Sequence, residues 1–288
     1  MSTGPPAGIV VVTGASSGIG EACARRLDDH GWRVVAGVRR EEDAERLRKL
    51  SSERLLPVRL DVRSGDDLRE LAARLDEVAG AGGVQGLVNN AGVVVAGPLA
   101  CTPLDDIRRQ FEINVFGVLA ATRALLPLLR RGRGRIVNMG SVAGRITAPF
   151  LGPYSASKFA LEALSDALRM ELSLEGIPVS LVESGPVTTP MWNKLRTRNR
   201  ALQGADTDDC ARRYAAALHG FDAMVGRQQP DAVAPQAVAR VVEQALTAAR
   251  PRARYQVGRG TRTAIILSRL LSDRLRDRLA LRRLGIRY

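Results

Sequence analysis

The sequence predicts an α/β fold: a single doubly wound domain with a mainly parallel sheet, a helical lid and a C-terminal helical extension. Short apolar runs rich in Val, Leu and Ile alternate with helical patterns through the first two-thirds of the chain, which is typical of right-handed βαβ units. Most of these runs are apolar at nearly every position, as expected for parallel strands covered on both faces. The length of 288 residues and the hydrophobic content of 45% allow one large domain with a sizeable core.

The predicted elements follow each other in a regular order. Strands are predicted at residues 9–13, 33–38, 56–60, 86–89, 135–139, 179–183 and 254–257. Helices are predicted at residues 19–30, 41–51, 64–79, 103–131, 154–174, 231–249 and 261–284. Residues 1–260 would then form the main domain, and the polar, Arg-rich segment at about 191–229 suits a lid better than a second domain. Residues 261–288 would form an Arg/Leu-rich helical extension.

The formal net charge of +13 is the unusual feature of the composition. Lysine occurs only at positions 49, 158 and 194, so nearly all of the positive charge is arginine. A basic balance points to nucleic acid or an anionic membrane surface as a partner. Aromatic residues make up only 4% of the chain and no stacking or base-reading motif is found, so we expect no nucleic-acid partner.

Much of the excess charge belongs to the C-terminal segment. From Arg259 onward there are nine arginines against Asp273 and Asp277, a local excess of nine minus two, or +7. Leucines recur among them at three- and four-residue spacing, which favours a helix that packs over a cleft or onto a second subunit. A peripheral membrane helix is the alternative, but it needs a second anchoring signal.

The remaining compositional features are those of a soluble protein. No apolar run reaches the roughly 18 residues of a membrane span, and the first eight residues lack the basic and apolar regions of a signal peptide, so we expect a cytoplasmic location. Cys23, Cys101 and Cys210 are odd in number and scattered, which predicts neither a disulfide framework nor a metal site.

A glycine-rich loop, Thr-Gly-Ala-Ser-Ser-Gly-Ile-Gly at residues 13–20, lies where the first strand turns into the first helix. Glycines there let backbone amides approach a phosphate and point the helix N-terminus at a pyrophosphate. With the strand before it and the helix after it, the loop predicts a dinucleotide site in a Rossmann-type domain. The candidate cofactor-binding residues in this loop are Gly14, Ser16, Ser17, Gly18, Ile19 and Gly20.

The end of the second strand bears on which dinucleotide is bound. NAD-binding folds place an acid there for the ribose 2′-hydroxyl, whereas NADP-binding folds place an arginine for the 2′-phosphate. Here the strand ends in Val38-Arg39-Arg40, without an acid, so Arg39 favours NADP and leaves NAD as the alternative. A solvated charge run is the other interpretation, because acidic residues follow at positions 41–43.

Tyr154 and Lys158 form a candidate proton-transfer pair. On a helix, residues four apart project from one face, with Cβ atoms roughly 5 to 6 Å apart. A fixed ammonium near the phenol favours the phenolate, and at about 4 Å the attraction of roughly 4 kcal/mol is enough to lower the pKa of Tyr154. Taken alone, such a pair also occurs as a snorkelling lysine beside a half-buried tyrosine.

The order and spacing of these motifs resemble the short-chain dehydrogenases/reductases over about residues 9–191. The resemblance is carried by the glycine loop, by Asn-Asn-Ala-Gly at residues 89–92, by Asn114 inside a long helix, by Ser141 after the fifth strand, and by the Tyr154/Lys158 pair. One departure follows the sixth strand, where the family usually has Pro-Gly and this chain has Ser184-Gly185-Pro186.

The resemblance implies a role for each matching residue. Ser141 and Tyr154 would hydrogen-bond the substrate oxygen, and Tyr154 would donate or accept the proton. Lys158 would bind the nicotinamide ribose and hold Tyr154 near ionisation, while Asn114 would position a water in a relay from Lys158 to solvent. Cofactor contacts are implied for the remaining residues: Asp61 and Val62 at the adenine, Asn90 at the ribose region, and Val187 and Thr189 at the nicotinamide carboxamide.

A narrower resemblance is to the branch that contains the 17β-hydroxysteroid and retinol dehydrogenases, through residues 154–162, 182–187 and 254–255. It implies hydride transfer between NAD(P) and a secondary alcohol, ketone or aldehyde on an apolar, steroid-, retinoid- or polyketide-like molecule, with Tyr154 as the acid/base. The family also implies a homodimer or homotetramer built on the two long helices. A cofactor-bound scaffold or sensor without turnover is the alternative function, against which the complete set of catalytic residues argues.

Overall fold

The parallel sheet is the framework of the molecule. A computed structural model describes residues 8–191, 209–228 and 232–286. In this part of the chain, seven strands form one sheet in the order β3-β2-β1-β4-β5-β6-β7, and every neighbouring pair is parallel. The predicted fold class is therefore confirmed. The strands are β1 (Ile9–Val12), β2 (Arg33–Val38), β3 (Leu55–Arg59), β4 (Gly86–Asn89), β5 (Arg135–Met139), β6 (Val179–Ser184) and β7 (Arg254–Val257).

Helices connect the strands and continue beyond them. The described α-helices are α1 (Gly18–Asp29), α2 (Glu41–Leu50), α3 (Gly65–Ala79), α4 (Leu104–Phe111), α5 (Gly117–Gly132), α6 (Gly152–Ser173), α7 (Asp209–Gln228), α8 (Pro235–Thr247), α9 (Thr261–Leu270) and α10 (Asp273–Arg283). Short 3-10 turns lie at Gly80–Gly82 and Val142–Gly144.

The helices cover both faces of the sheet because the strands are apolar on both sides. Along β1, Val10 and Val12 pack into a cluster with Leu27 of α1 and Val242 of α8. Val11 points the other way, into a cluster formed with residues of α3 and α5. All three valines have no exposed surface, so the sheet is a buried layer between two helical layers.

The strand order reverses beside β1, and this positions the functional site. The chain runs outward from β1 through β2 to β3, then returns to β4 on the other side of β1. The connections after β1 and β4 therefore leave in opposite directions and open a crevice at the carboxyl ends of these strands.

Two predicted helices are interrupted in the structure. The segment predicted as one helix at 103–131 contains a π-helical turn, Glu112–Phe116, between α4 and α5. The predicted 261–284 helix breaks after α9, where Leu271 adopts extended dihedral angles. Both segments keep apolar residues at helical spacing, so periodicity alone does not reveal the breaks.

The predicted lid segment is only partly described. Its second half forms α7, a regular helix of 20 residues, where the sequence indicates only weak periodicity. The part of this segment at 192–208 lies outside the described residues.

One helical stretch, Leu104–Gly132, is long and apolar enough to cross a membrane by length and composition. An apolar 18-residue window of this stretch is 56% buried inside the protein. Leu125 and Leu129 of α5 have no exposed surface and belong to the cluster under the sheet. We therefore interpret it as a core helix.

The cysteines differ from the expectation. Cys101 takes part in a disulfide bond, although the scattered positions predict no disulfide. Spacing along the chain cannot show which cysteines meet in space, and this explains the error. Cys23 is a free thiol whose burial raises its pKa to about 12, so it is unreactive at neutral pH.

The packing of α5 predicts an asymmetry between two leucine substitutions. Leu125→Ala removes a fully buried side chain and leaves a cavity under the sheet, so the free energy of unfolding should fall by about 2–5 kcal/mol. Leu174→Ala is the matched control, because Leu174 is 90% exposed and should change stability by less than about 0.5 kcal/mol. Urea unfolding checks both, and equal effects would contradict the assigned core.

Candidate active site

A large cavity of about 1890 Å³ opens at the carboxyl ends of the strands. Nearly all of the predicted site residues line it, and Asn114 is the exception. The lining residues from that set are Gly14, Ser16, Ser17, Gly18, Ile19, Gly20, Arg39, Asp61, Val62, Asn90, Ser141, Tyr154, Lys158, Val187 and Thr189.

The glycine loop forms one end of the cavity and requires its glycines. Gly14 has φ of +66°, and a Cβ there would lie 2.7 Å from the Cα of Ala91. A Cβ on Gly20 would lie 2.3 Å from the carbonyl oxygen of Gly14. A Cβ at either position would collide with neighbouring protein atoms, so only glycine lets the loop pack this closely against itself and against Ala91.

Asn90, directly after the end of β4, supports this loop. Its Nδ2 donates to the carbonyl oxygens of Thr13 at 3.0 Å and Gly14 at 2.9 Å. The Thr13 hydroxyl oxygen accepts from the backbone amides of Asn90 and Ala91, each at 3.0 Å. The amide of Asn90 is therefore committed to the loop, and it shapes the cofactor end of the cavity by holding that backbone.

Two charged residues, Arg39 and Asp61, also line the cavity. Asp61 pairs with Arg63, whose guanidinium holds the pKa of that carboxyl below its usual value. Arg39 lies close enough to Asp61 to lower the same pKa further. Arg40 is engaged by Asp43, whereas Arg39 forms no ion pair within the described residues and lines the cavity.

Tyr154 and Ser141 meet at the other end of the cavity. Ser141 follows β5, where its Oγ accepts from the Ala143 amide at 3.1 Å and donates to the Ser184 carbonyl at 3.4 Å. Tyr154 lies in the first turn of α6 and is half-buried. Burial raises the pKa of the Tyr154 phenol, and a hydrogen bond with Ser141 lowers it in part.

The raised pKa differs from the expectation that Lys158 lowers it. The Lys158 ammonium lies 5.8 Å from the centre of the Tyr154 ring and donates to the Met139 carbonyl at 2.7 Å. Burial lowers the pKa of Lys158 to about 8, against the opposing effect of Glu162. The sequence shows the spacing of the two groups but not their desolvation, which is the larger effect at Tyr154.

Asn114 lies in the π-helical turn and faces α6 rather than the cavity. Its Oδ1 accepts from the Val93 amide at 2.9 Å, and its Nδ2 donates to the Val93 carbonyl at 2.9 Å and to Ser157 Oγ at 3.1 Å. Ser157 in turn donates to the Tyr154 carbonyl at 2.7 Å. Asn114 therefore links α6 to the segment following β4, and its part in a water relay stays a prediction.

The segment after β6 closes the cavity near the glycine loop. Val187 pairs with Val233 in an isolated parallel bridge, and the Thr188 amide donates to the Val233 carbonyl at 3.0 Å. A Cβ on Gly18 would lie 3.1 Å from Thr189 Cγ2, so this segment touches the start of α1. The unusual turn at Gly185 is held by its amide, which donates to Val257 at 2.8 Å.

Comparison with known proteins identifies the family. A model of the family described as short chain dehydrogenase matches residues 8–200. The chain belongs to the short-chain dehydrogenase family. It is therefore an oxidoreductase, and the resemblance inferred from its motifs is confirmed.

Curated relatives of this short-chain dehydrogenase lie near the expected branch. An NADPH-dependent 3-dehydrocapnine reductase from Ornithobacterium rhinotracheale is 34% identical over 274 residues, which cover 93% of this chain and 94% of that protein. Retinol dehydrogenase 5 from Mus musculus is 37% identical over 255 residues, which cover 86% of this chain and 80% of that protein. The 17-beta-hydroxysteroid dehydrogenase type 6 from Homo sapiens is 37% identical over 258 residues, with the same coverage.

Solved structures of other short-chain dehydrogenases superpose along most of the chain. One from Burkholderia cenocepacia J2315, in complex with NADP, has a TM-score of 0.70 and 25% identity, covering 96% of this chain and 97% of that one. Another from Burkholderia phymatum, in complex with NAD, has a TM-score of 0.74 and 29% identity, covering 91% of each chain.

The sequence motifs of this short-chain dehydrogenase do not reveal the apolar half of its cavity. Phe150, with φ of +66°, packs edge-to-face against Tyr214 and Phe221 of α7, at 6.2 and 5.8 Å between ring centres. Met224 of α7 and Leu151 join the same cluster and line the cavity. These residues lie outside the family motifs, and only the structure brings the loop after β5 against α7.

Proposed function

We propose that this short-chain dehydrogenase interconverts a ketone or aldehyde and the corresponding alcohol on an apolar molecule, with NADPH/NADP⁺ as the preferred cofactor pair. The observation that carries the proposal is one cavity that has a glycine cradle at one end and the Tyr154, Ser141 and Lys158 side chains at the other. Steroid-, retinoid- or polyketide-like molecules are the proposed substrate class. The names of the relatives, which include a reductase, a retinol dehydrogenase and a hydroxysteroid dehydrogenase, support this class.

The glycine loop fits a dinucleotide because it lines the cavity where α1 begins, and the N-cap residue Ser17 makes no side-chain cap hydrogen bond to the first-turn amides, which suit a phosphate. Arg39 fits a ribose 2′-phosphate, since its guanidinium borders the cavity without an ion-pair partner in the described part of the chain. The NADPH-dependent relative and the NADP-bound neighbour support this preference, and the NAD-bound neighbour keeps NAD as the alternative. When bound, the nicotinamide would supply or accept the hydride.

The protein's own part in the reaction is to hold the carbonyl and move one proton. Ser141 and Tyr154 would both bind the substrate oxygen, and Tyr154 would give its hydroxyl proton to that oxygen as negative charge develops there. The raised pKa keeps Tyr154 protonated at neutral pH, which suits the reductive direction. Lys158, fixed by the Met139 carbonyl, would stabilise the phenolate that remains after transfer.

The walls near α7 fit an apolar substrate. Phe150, Leu151 and Met224 border the cavity, and the phenyl ring of Phe150 is held by two edge-to-face contacts. Apolar walls with a few convergent polar groups are typical of small-molecule sites. These walls suit a bulky hydrocarbon skeleton with an oxygen that reaches Ser141 and Tyr154.

We also propose a homodimer or homotetramer. Apolar side chains are exposed on the outer faces of the long helices, and they include Phe116 (53% exposed), Phe159 (44%) and Met170 (59%). Large exposed apolar residues on adjacent helices are typical of subunit interfaces.

The sequence favours a C-terminal helix over a cleft or at a subunit contact, and α9 and α10 do line the cavity. For their exposed leucines we propose the alternative, contact with an anionic membrane surface. Leu270 of α9 is 76% exposed, and α10 has no buried residue along its length while carrying exposed Leu275 and Leu279. A symmetric contact between two copies would bring two segments with an excess of +7 together, whereas anionic lipid attracts them. Because α9 and α10 also border the cavity mouth, apolar substrates could enter directly from the lipid.

The substitution Tyr154→Phe tests the catalytic proposal. It should reduce kcat for reduction of an apolar ketone by about 10²–10⁴-fold because the proton donor is lost, while NADPH binding measured by fluorescence stays within about threefold. Tyr255→Phe is the matched control, since the Tyr255 hydroxyl only accepts a backbone hydrogen bond from Arg252. Retention of turnover by Tyr154→Phe, or no turnover by the wild type with any carbonyl, would point to a scaffold or sensor.

Arg39→Ala tests the cofactor preference. Removing one charge-assisted contact with a phosphate, worth about 1.5–3 kcal/mol, should weaken NADPH binding roughly 10- to 100-fold and leave NADH binding nearly unchanged. Arg40→Ala is the control, because Arg40 is paired with Asp43. Equal losses for both cofactors would exclude Arg39 as the 2′-phosphate contact.

Vesicle flotation tests the membrane proposal. The wild type should bind vesicles of phosphatidylcholine with phosphatidylglycerol but not pure phosphatidylcholine, and added salt should release it. The double substitution Leu270→Ser and Leu275→Ser should abolish binding, whereas Leu174→Ser, on another exposed leucine, should not. A change in oligomeric state in the double variant, without any vesicle binding by the wild type, would instead assign these leucines to a subunit interface.

A further inference from the structure

A buried group of charged side chains lies beside Lys158, and the family motifs assign no catalytic or cofactor-binding role to its members. Glu162 follows Lys158 by one turn of α6 and is 6% exposed, and Glu183 near the end of β6 has no exposed surface. Arg145, which follows the 3-10 turn after Ser141, reaches both carboxylates from one side. Arg254 of β7 reaches them from the other side.

The contacts in this group are close and specific. Arg145 Nε donates to Glu183 Oε1 at 2.7 Å, and its Nη2 lies 3.1 Å from Glu162 Oε2. Arg254 Nη2 donates to Glu162 Oε2 at 3.1 Å and to Asp166 Oδ2 at 2.6 Å. Both arginines therefore converge on a single oxygen of Glu162.

The other oxygen of Glu162 is in a different situation. Glu162 Oε1 is buried and has no hydrogen-bond partner among the described residues. The Glu183 carboxyl interacts with Glu162. Gln256 Nε2 donates a hydrogen bond to Glu183 Oε2 at 3.1 Å. Two carboxylates at such close range in a dry site repel each other, unless one of them carries a proton and donates it to the other.

We propose that Glu162 and Glu183 share one proton in this group, and that Glu162 is a positioning residue whose ionisation sets the charge state of Lys158. The proposal rests on the proposed function, because the charge of Lys158 acts on catalysis through Tyr154. Burial and the Glu183 carboxylate together raise the pKa of Glu162 to about 7, in agreement with a shared proton at neutral pH.

The charged group packs directly against the elements that carry the catalytic residues. A Cβ on Gly144 would lie 2.9 Å from the carbonyl oxygen of Lys158 and 3.1 Å from Glu162 Cγ. The turn that carries Ser141 is therefore pressed against α6 at this point. Arg145, at the end of the same turn, also borders the cavity, so the group connects Ser141, Lys158 and β6.

The titration has a defined sign. The charged groups that face Glu162 from the elements packed against it are Lys158 and Asp166 on α6, Glu183 on β6, Arg145 after the turn, and Arg254 on β7. When the shared proton leaves, Glu162 gains a full negative charge one helical turn from Lys158. That charge holds the ammonium protonated to a higher pH than burial alone would allow.

The pH dependence of the free energy of unfolding detects the shared proton without requiring catalysis. The pKa of Glu162 is raised from its ordinary value of 4.5 to about 7, so the folded state binds the proton more tightly than the unfolded state. The wild type should therefore lose stability relative to Glu162→Gln as the pH rises from 4.5 to about 7. Asp166→Asn is the matched control, since it removes a carboxylate from the same Arg254 on the same helix but should leave this pH dependence in place.

The pH profile of kcat/KM tests whether the ionisation of Glu162 affects the charge of Lys158. In Glu162→Gln the apparent pKa of the alkaline limb should fall by about half a unit to one unit, because the negative charge that stabilises the Lys158 ammonium is gone. The loss of activity should thus grow from about pH 6 to about pH 9, whereas a merely structural role would give the same loss at every pH. Glu183→Gln should not move the limb down, because Glu162 then stays ionised.

The two measurements separate the possible failures. If the stability difference between the wild type and Glu162→Gln is independent of pH, the shared proton is ruled out while the proposed function stands. If that difference is present but the alkaline limb does not move, Glu162 does not set the charge of Lys158. If no carbonyl is turned over at all, the proposed function fails, and with it the role assigned to Glu162.

Discussion

The hydrogen bond from the buried Lys158 ammonium to the Met139 carbonyl is the contact on which the site depends. It ties the second turn of α6 to the carboxyl end of β5, and so fixes where Tyr154 stands relative to Ser141. A buried cation without such a partner would be expelled or neutralised. The same burial that makes the contact necessary lowers the pKa of Lys158 to about 8, near the range in which a proton relay is useful.

The polar contacts around this bond divide into two supports. Asn114 and Ser157 hold α6 against the segment after β4, from the side of the π-helical turn. Arg145 and Glu162 hold the Ser141 turn against α6 from the other side. The site is therefore assembled from separate loops around one helix. Buried hydrogen bonds and ion pairs hold these loops in place, a directional role that apolar packing does not fill.

The sequence predicts the sheet and most of the site because both depend on local patterns. Apolar strands and glycine spacing are visible in the chain, and the family motifs place Ser141, Tyr154 and Lys158 correctly in one cavity. The predicted direction of the Tyr154 pKa shift is wrong, because the shift depends on desolvation, which depends on packing. The contacts between Glu162, Glu183 and Arg254 join positions far apart in the chain, and no periodicity marks them. The π-helical turn at Asn114 keeps the apolar stripe of a regular helix, so it too is visible only in three dimensions.

Deuterium transfer is the most direct measurement of the central claim that this cavity brings a nicotinamide and a carbonyl together for hydride transfer. The protein would be incubated with NADPH deuterated at C4 of the nicotinamide and with a panel of apolar ketones, and the alcohols analysed by mass spectrometry and proton NMR. We predict one deuterium at the carbinol carbon, on one face only, and about 10²–10⁴-fold slower formation of this labelled alcohol with Tyr154→Phe. Alcohol that contains no deuterium from the labelled cofactor, or binding of NADPH without any alcohol formed, would contradict it.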